Sequence, residues 1–211
     1  MSLNLRSRRL RRAGMSGALA LAAGGLLIGM PGAASATNHV HATYKVTGST
    51  FIKAPNFTLA LGPGKLVSDL NPANGNIKAT LTLPDATGSF MQFGLIPVTA
   101  TTRFVNDGPT TGKLNLNTGA VTTTSKITLQ IVSLNVAGID VPVGDSCQTV
   151  SPVVVKVKSQ KGFNVLKGGN LAGSYTIGDF QHCRLATILI NTTIPGSGNT
   201  IALKLGKAHI K

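Results

Sequence analysis

From residue 76 onward, apolar and polar side chains alternate with a period of two over short stretches. Ile77, Ala79, Leu81 and Leu83 are interleaved with Lys78, Thr80 and Thr82. Val153, Val155 and Val157 are interleaved with Val154, Lys156 and Lys158, and Ile201, Leu203 and Leu205 with Ala202 and Lys204. Successive side chains of a strand point to opposite faces, so this pattern predicts antiparallel strands with one buried face and one Thr/Lys face. Turn signals break the pattern at short intervals, among them Gly62-Pro63-Gly64, Asn71-Pro72-Ala73-Asn74-Gly75, Asn106-Asp107-Gly108-Pro109 and Asn117-Thr118-Gly119. Each supplies a left-handed position or a fixed φ where the chain reverses. About ten strands at this spacing predict an all-β fold, an antiparallel β-sandwich or a partly closed barrel.

Two segments depart from simple alternation. In the run from Val121 to Val136, the apolar set Val121, Ile127, Leu129 and Ile131 gives way to Leu134 and Val136. That change of phase predicts a bulge near Val132-Ser133. Leu185, Ile188, Leu189 and Thr192 fall at helical spacing just before Pro195-Gly196, which predicts one short helix near the C-terminus. Gly64-Lys65-Leu66 leading to Asn71 and Gly75 is echoed by Gly112-Lys113-Leu114 leading to Asn115 and Gly119. Two copies are too few for a solenoid, and shared hairpin grammar accounts for them.

The start of the chain follows a different rule. Arg6, Arg8, Arg9, Arg11 and Arg12 precede an apolar run from Ala18 to Met30, and Ala34-Ser35-Ala36 places small residues where a signal peptidase reads. This predicts a cleaved secretory leader over 1–36 and a single mature domain over 37–211, with no membrane-spanning segment left after cleavage. Export agrees with the cysteine usage. Cys147 and Cys183 are the two cysteines of the chain, and a pair in an oxidising compartment predicts one disulfide.

Removing the leader leaves thirteen Lys and two Arg against six Asp, a net charge near +9, with no Glu and no Trp anywhere. Lys78, Lys126, Lys156, Lys158 and Lys204 take outward positions of the expected strands. A face carrying them would attract anionic envelope polymers through long-range, salt-sensitive fields, or would simply keep the sheet edges soluble. Nucleic acid is disfavoured as a partner, because the mature domain has only two Arg and no aromatics interleaved with its lysines.

Sites of chemistry are few. Cleavage after Ala36 would leave Thr37-Asn38-His39 as the N-terminus. Its amine, amides and imidazole form a square-planar set suited to Cu(II), with His41 as a further ligand. Asp145, Asp179 and His182 flank the cysteines, and an Asp–His pair there is the base half of a triad with Ser146 or Ser151. No G-x-S-x-G signature or oxyanion motif accompanies it, so no catalytic residue is assigned and no cofactor is expected. Phe90, Met91, Phe93, Leu95 and Ile96 are apolar at both parities of one segment, which is the pattern of a doubly buried strand or of the lining of an apolar pocket.

Residues 81–105 (LTLPDATGSFMQFGLIPVTATTRFV), the Gly-Pro-Thr-Thr-Gly turn at 108–112, Val143-Gly144-Asp145-Ser146-Cys147 and 175–183 (YTIGDFQHC) resemble small exported proteins of actinobacteria. The resemblance runs through most of the mature chain. It implies a Gram-positive envelope or medium as the setting, and no activity or site residue with it. The sequence thus leads to a secreted, non-enzymatic envelope or extracellular protein that acts through its basic surface. The alternative is a carrier of an apolar small molecule or lipid in an internal cavity.

Overall fold

The computed structural model describes residues 39–210. The expected leader at 1–36 lies outside them. Fourteen strands and one helix follow in order: β1 (Val40–Ile52), β2 (Phe57–Leu70), β3 (Asn76–Thr82), β4 (Ala86–Gln92), β5 (Ile96–Asn106), β6 (Thr110–Leu114), β7 (Val121–Val136), β8 (Ile139–Asp140), β9 (Gln148–Thr149), β10 (Val153–Ser159), β11 (Gly169–Ile177), β12 (Phe180–Gln181), α1 (Ala186–Asn191), β13 (Gly196–Leu205) and β14 (His209–Ile210). Ten strands have five or more residues, as the alternation predicts, and the other four are two-residue pairings.

Of the two architectures expected, the barrel is the one formed, and it is fully closed. Eight strands run in the order β10-β11-β13-β1-β2-β3-β6-β7, and β7 returns to β10 through the register Val153↔Ile127 to Lys158↔Thr122. All pairings are antiparallel. Closure leaves these eight strands without an open edge across the middle of the barrel. Val153, Val155, Val157, Leu203 and Leu205 are buried within, on the side the alternation assigned to them.

Strand β7 is longer than the barrel needs. Its first half pairs with β6 and β10, whereas its second half pairs with β5 from Asn106↔Ile127 to Val98↔Val136. The register slips between Thr101↔Ser133 and Thr102↔Ile131, so Val132 is the extra residue of a bulge at the predicted place. β5 in turn pairs with β4, which lies against the start of β2.

A second apolar core therefore forms beyond the barrel. It contains Val98, Ile131, Leu134, Ile177, Phe180, Ala186 and Ile190, together with the Cys147–Cys183 disulfide. Leu129 and Tyr175 touch both cores.

The helix stands where the spacing placed it but turns a different face inward. Ala186 and Ile190 are buried, whereas Leu185 and Ile188 are exposed. Leu185 is the N-cap residue and precedes the helix, and the inward stripe is instead the i, i+4 pair Ala186 and Ile190, packed into the second core.

Candidate functional site

Three turns of one kind close one end of the barrel. In the β2–β3 turn, Gly75 N donates to Asn71 O at 2.7 Å. In the β6–β7 turn, Gly119 N donates to Asn115 O at 2.8 Å, and in the β10–β11 loop Gly168 N donates to Asn164 O at 2.7 Å. Each Asn also accepts a backbone N–H two residues on through its side-chain oxygen. This is the Asx geometry that makes Asn a turn former. The third loop folds inward, carrying Phe163 and Val165 over the barrel interior, and Tyr44 Oη donates to Val165 O at 2.8 Å to hold it there.

Beneath that cap the barrel keeps an apolar chamber of about 110 Å³. Its wall is built from the inward positions of the eight strands, including Val46, Leu61, Leu81, Ile127, Val155 and Leu203. The polar groups present are hydroxyls of Tyr44, Thr50, Ser68, Thr110, Thr123, Ser125 and Tyr175, with no charged side chain. These hydroxyls are largely engaged with the protein itself. Thr110 Oγ1 and Ser125 Oγ are 2.7 Å apart, Thr50 bonds to Tyr175 Oη and donates to Thr200 O at 2.9 Å, and among the described residues no buried side-chain nitrogen or oxygen lacks a partner. Burial pushes the Tyr175 and Tyr44 hydroxyls above the ordinary phenol value of 10.0, with the hydrogen bonds to Thr50 and Ser68 pulling the other way. The chamber therefore offers an occupant mainly apolar surface, with a few hydroxyls and no charge.

On one flank the wall has a seam. β3 pairs with β6 only from Asn76↔Lys113 to Ala79↔Thr110. Beyond that point the Leu81 carbonyl is met by Asn106 Nδ2 at 2.7 Å, and Leu81, Leu83 and Phe104 face the chamber behind it. Arg103 and Asp85 form an ion pair on the outside of the seam.

The apolar pocket expected at Phe90, Met91, Phe93, Leu95 and Ile96 is displaced from this chamber. Met91, Phe93, Leu95 and Ile96 are exposed at the tip of the β4–β5 hairpin, and only Phe90 turns inward, against the second core. Apolar residues at both parities mark a projecting tip here and not a doubly buried strand. Phe90, Met91 and Phe93 do border an open surface cleft of about 580 Å³, together with Phe57 and Thr193.

The lysines fall close to expectation. Lys78, Lys126, Lys156 and Lys158 share the outer face of the consecutive strands β3, β6, β7 and β10, and register places Lys156 opposite Thr124 and Lys158 opposite Thr122. Lys113, which sequence reasoning passed over as part of a hairpin echo, joins them opposite Thr122 and donates through Nζ to Asn76 Oδ1 at 3.0 Å. Lys204 sits apart on β13, opposite Thr47 and Asn170.

Of the expected copper ligands, Thr37 and Asn38 lie outside the described residues. His39 Nδ1 is 2.6 Å from Asp69 Oδ1, and His41 pairs in register with Asp69 across β1 and β2. His39 is thus engaged by a carboxylate, and among the described residues no group of three or more metal-ligating side chains comes together. Around the disulfide, Asp145, Asp179 and His182 are exposed, and Asp179 works through its backbone carbonyl, which accepts from Val150 N at 2.8 Å. His182 and Arg184 adopt left-handed backbone conformations on either side of Cys183, which orders this loop about the cross-link. Among the described residues no helix is long and apolar enough to cross a membrane. No protein-family model, curated protein or solved structure matches the chain.

Proposed function

We propose that this is a secreted, non-enzymatic binding protein whose barrel carries an uncharged apolar small molecule. The observation that supports the reading is the chamber itself. Protein interiors are normally filled to the density of organic crystals, and small eight-stranded barrels either fill their interior with side chains or hold one ligand. This barrel leaves an apolar void of about 110 Å³ in its middle. An engineered cavity of roughly 150 Å³ in another protein is enough to admit benzene, so the chamber suits a group of only a few carbon atoms.

The test is direct titration of the mature protein with butanol, read by calorimetry and by native mass spectrometry, alongside Val155→Phe, which fills the chamber from β10. Saturable binding that Val155→Phe removes supports the reading, and the absence of binding overturns it.

A second reading follows from the outer wall. Lys78, Lys113, Lys126, Lys156 and Lys158 lie on four neighbouring strands with threonines between them, an arrangement that favours anionic envelope polymers such as polyphosphate-linked chains. Salt-sensitive retention on a polyanion resin, reduced in a Lys113→Ala, Lys156→Ala, Lys158→Ala variant, supports it. Equal retention of the variant removes it.

A further inference from the structure

We infer that the ligand is a single unbranched alkyl chain that threads a row of three linked cavities, with the barrel chamber as the first. The inference rests on the carrier reading and deepens it. Beyond the chamber lies a second apolar void of about 60 Å³ and, under α1, a third of about 20 Å³. The first and second share Thr50, Phe104, Leu129 and Tyr175 as walls; the second and third share Phe90, Ala100, Ile131 and Ile194. Shared walls place the voids end to end, from the barrel into the second core.

Their sizes select the shape of the occupant. A ring does not enter the second void, which is well below the roughly 150 Å³ of the benzene-binding cavity. A polymethylene chain, one carbon wide, fits such a row. Close packing is the default of a protein core, and filling these voids with larger side chains would stabilise it. A row of small neighbouring gaps through both cores, parted only by side chains they share, is what a chain-shaped occupant would use.

Among the four shared walls of the first and second voids, Thr50 and Tyr175 are joined to each other by a hydrogen bond between their hydroxyls. Thr50 stays anchored to Thr200 O when the pair parts, so rotation of the Tyr175 ring is the motion that joins the two voids. No charged side chain lines any of the three, so the head of the ligand is uncharged, as in a fatty alcohol or an alkyl ester.

A series of straight-chain alcohols from butanol to octanol, titrated into the mature protein, tests this. Affinity is expected to rise about fourfold per added methylene while the chain advances through the row. Ala100→Leu, which narrows the second and third voids without touching the first, is expected to leave butanol unchanged and to abolish the gain with length. Should Ala100→Leu fail to fold, Ile194→Phe narrows the same voids from the other side. Tyr175→Phe is expected to raise affinity for the long alcohols only. Butanol binding with no gain from added length overturns the inference and leaves the carrier reading standing, as does a length gain that survives Ala100→Leu. Binding of no alcohol at all overturns both.

Discussion

Arg103 on β5 grips Asp85, in the loop between β3 and β4, through two parallel hydrogen bonds, Nε to Oδ1 at 3.0 Å and Nη2 to Oδ2 at 2.9 Å. The fork spans the seam where β3 loses its β6 neighbour and where Leu81, Leu83 and Phe104 stand behind it. Both partners are exposed, so solvent screening leaves the pair little weight in global stability. Its position makes it a strap beside the flank where Leu81, Leu83 and Phe104 line the chamber. Arg103→Ala is expected to leave the melting temperature nearly unchanged while speeding release of bound alcohol, as measured by stopped-flow displacement.

The same strap has a pH dependence of known sign. The Arg103 guanidinium holds the Asp85 carboxyl below its ordinary value of 3.8. The strap is therefore fully formed at neutral pH and is lost as the pH falls below that value through the depressed one. Release rates should be flat from neutral to mildly acidic pH and rise only in strong acid, and Arg103→Ala should abolish the rise.

Tyrosine ionisation reports on the chamber. The chain has two tyrosines and no Trp, and burial raises both phenols above 10.0. A raised phenol favours the fold fully below the unfolded value, and that contribution fades as pH climbs through the folded one. Ultraviolet difference spectra should show tyrosinate appearing at higher pH in the folded protein than in the unfolded chain.

Gly173 on β11 allows the barrel its curvature. A Cβ at this position would lie 1.9 Å from Lys156 O on β10, a backbone atom that no side-chain rotation can move aside. Gly173→Ala is expected to cost about 3 kcal/mol as the β10–β11 ladder is forced apart, measured by urea denaturation.

Phe93 presents the opposite case. It holds φ at +52° beside Gly94 at +72°, in a turn closed by Leu95 N to Gln92 O at 3.1 Å, and its side chain is 75% exposed. Two left-handed central residues favour Asn-Gly, and a bulky side chain there is strained. Phe93→Asn should raise stability by about 1 kcal/mol without altering alcohol binding. The aromatic ring is thus retained on the outside of the hairpin at a cost to the fold.

Much of this architecture was legible in the chain. Alternation located the strands and their inward sides, the phase change located the bulge at Val132, and the presence of just two cysteines located the cross-link. Closure was not legible. Whether a sheet closes depends on β10 meeting the first half of β7, a pairing set by the registers of remote strands that no local period records. The chamber was hidden for the same reason, since each strand contributes only a few inward residues, from one on β6 to five on β7, that read as ordinary core. The tip of the β4–β5 hairpin misled because hydrophobicity reports chemical type, and only topology decides that Met91, Phe93, Leu95 and Ile96 project outward. The inward-folding loop at Asn164 shares its Asn-to-Gly spacing with the turns at Asn71 and Asn115, a signal that could have been read as a third closure of the same end.

Strand β7 ties the two halves of the molecule into one cooperative unit. A single ribbon of backbone is hydrogen-bonded into the barrel along its first half and into the second core along its second, so neither body can melt and leave the other its full set of partners. Heating should yield one calorimetric peak, and an occupant that protects the barrel should slow hydrogen exchange as far away as the helix beside the disulfide.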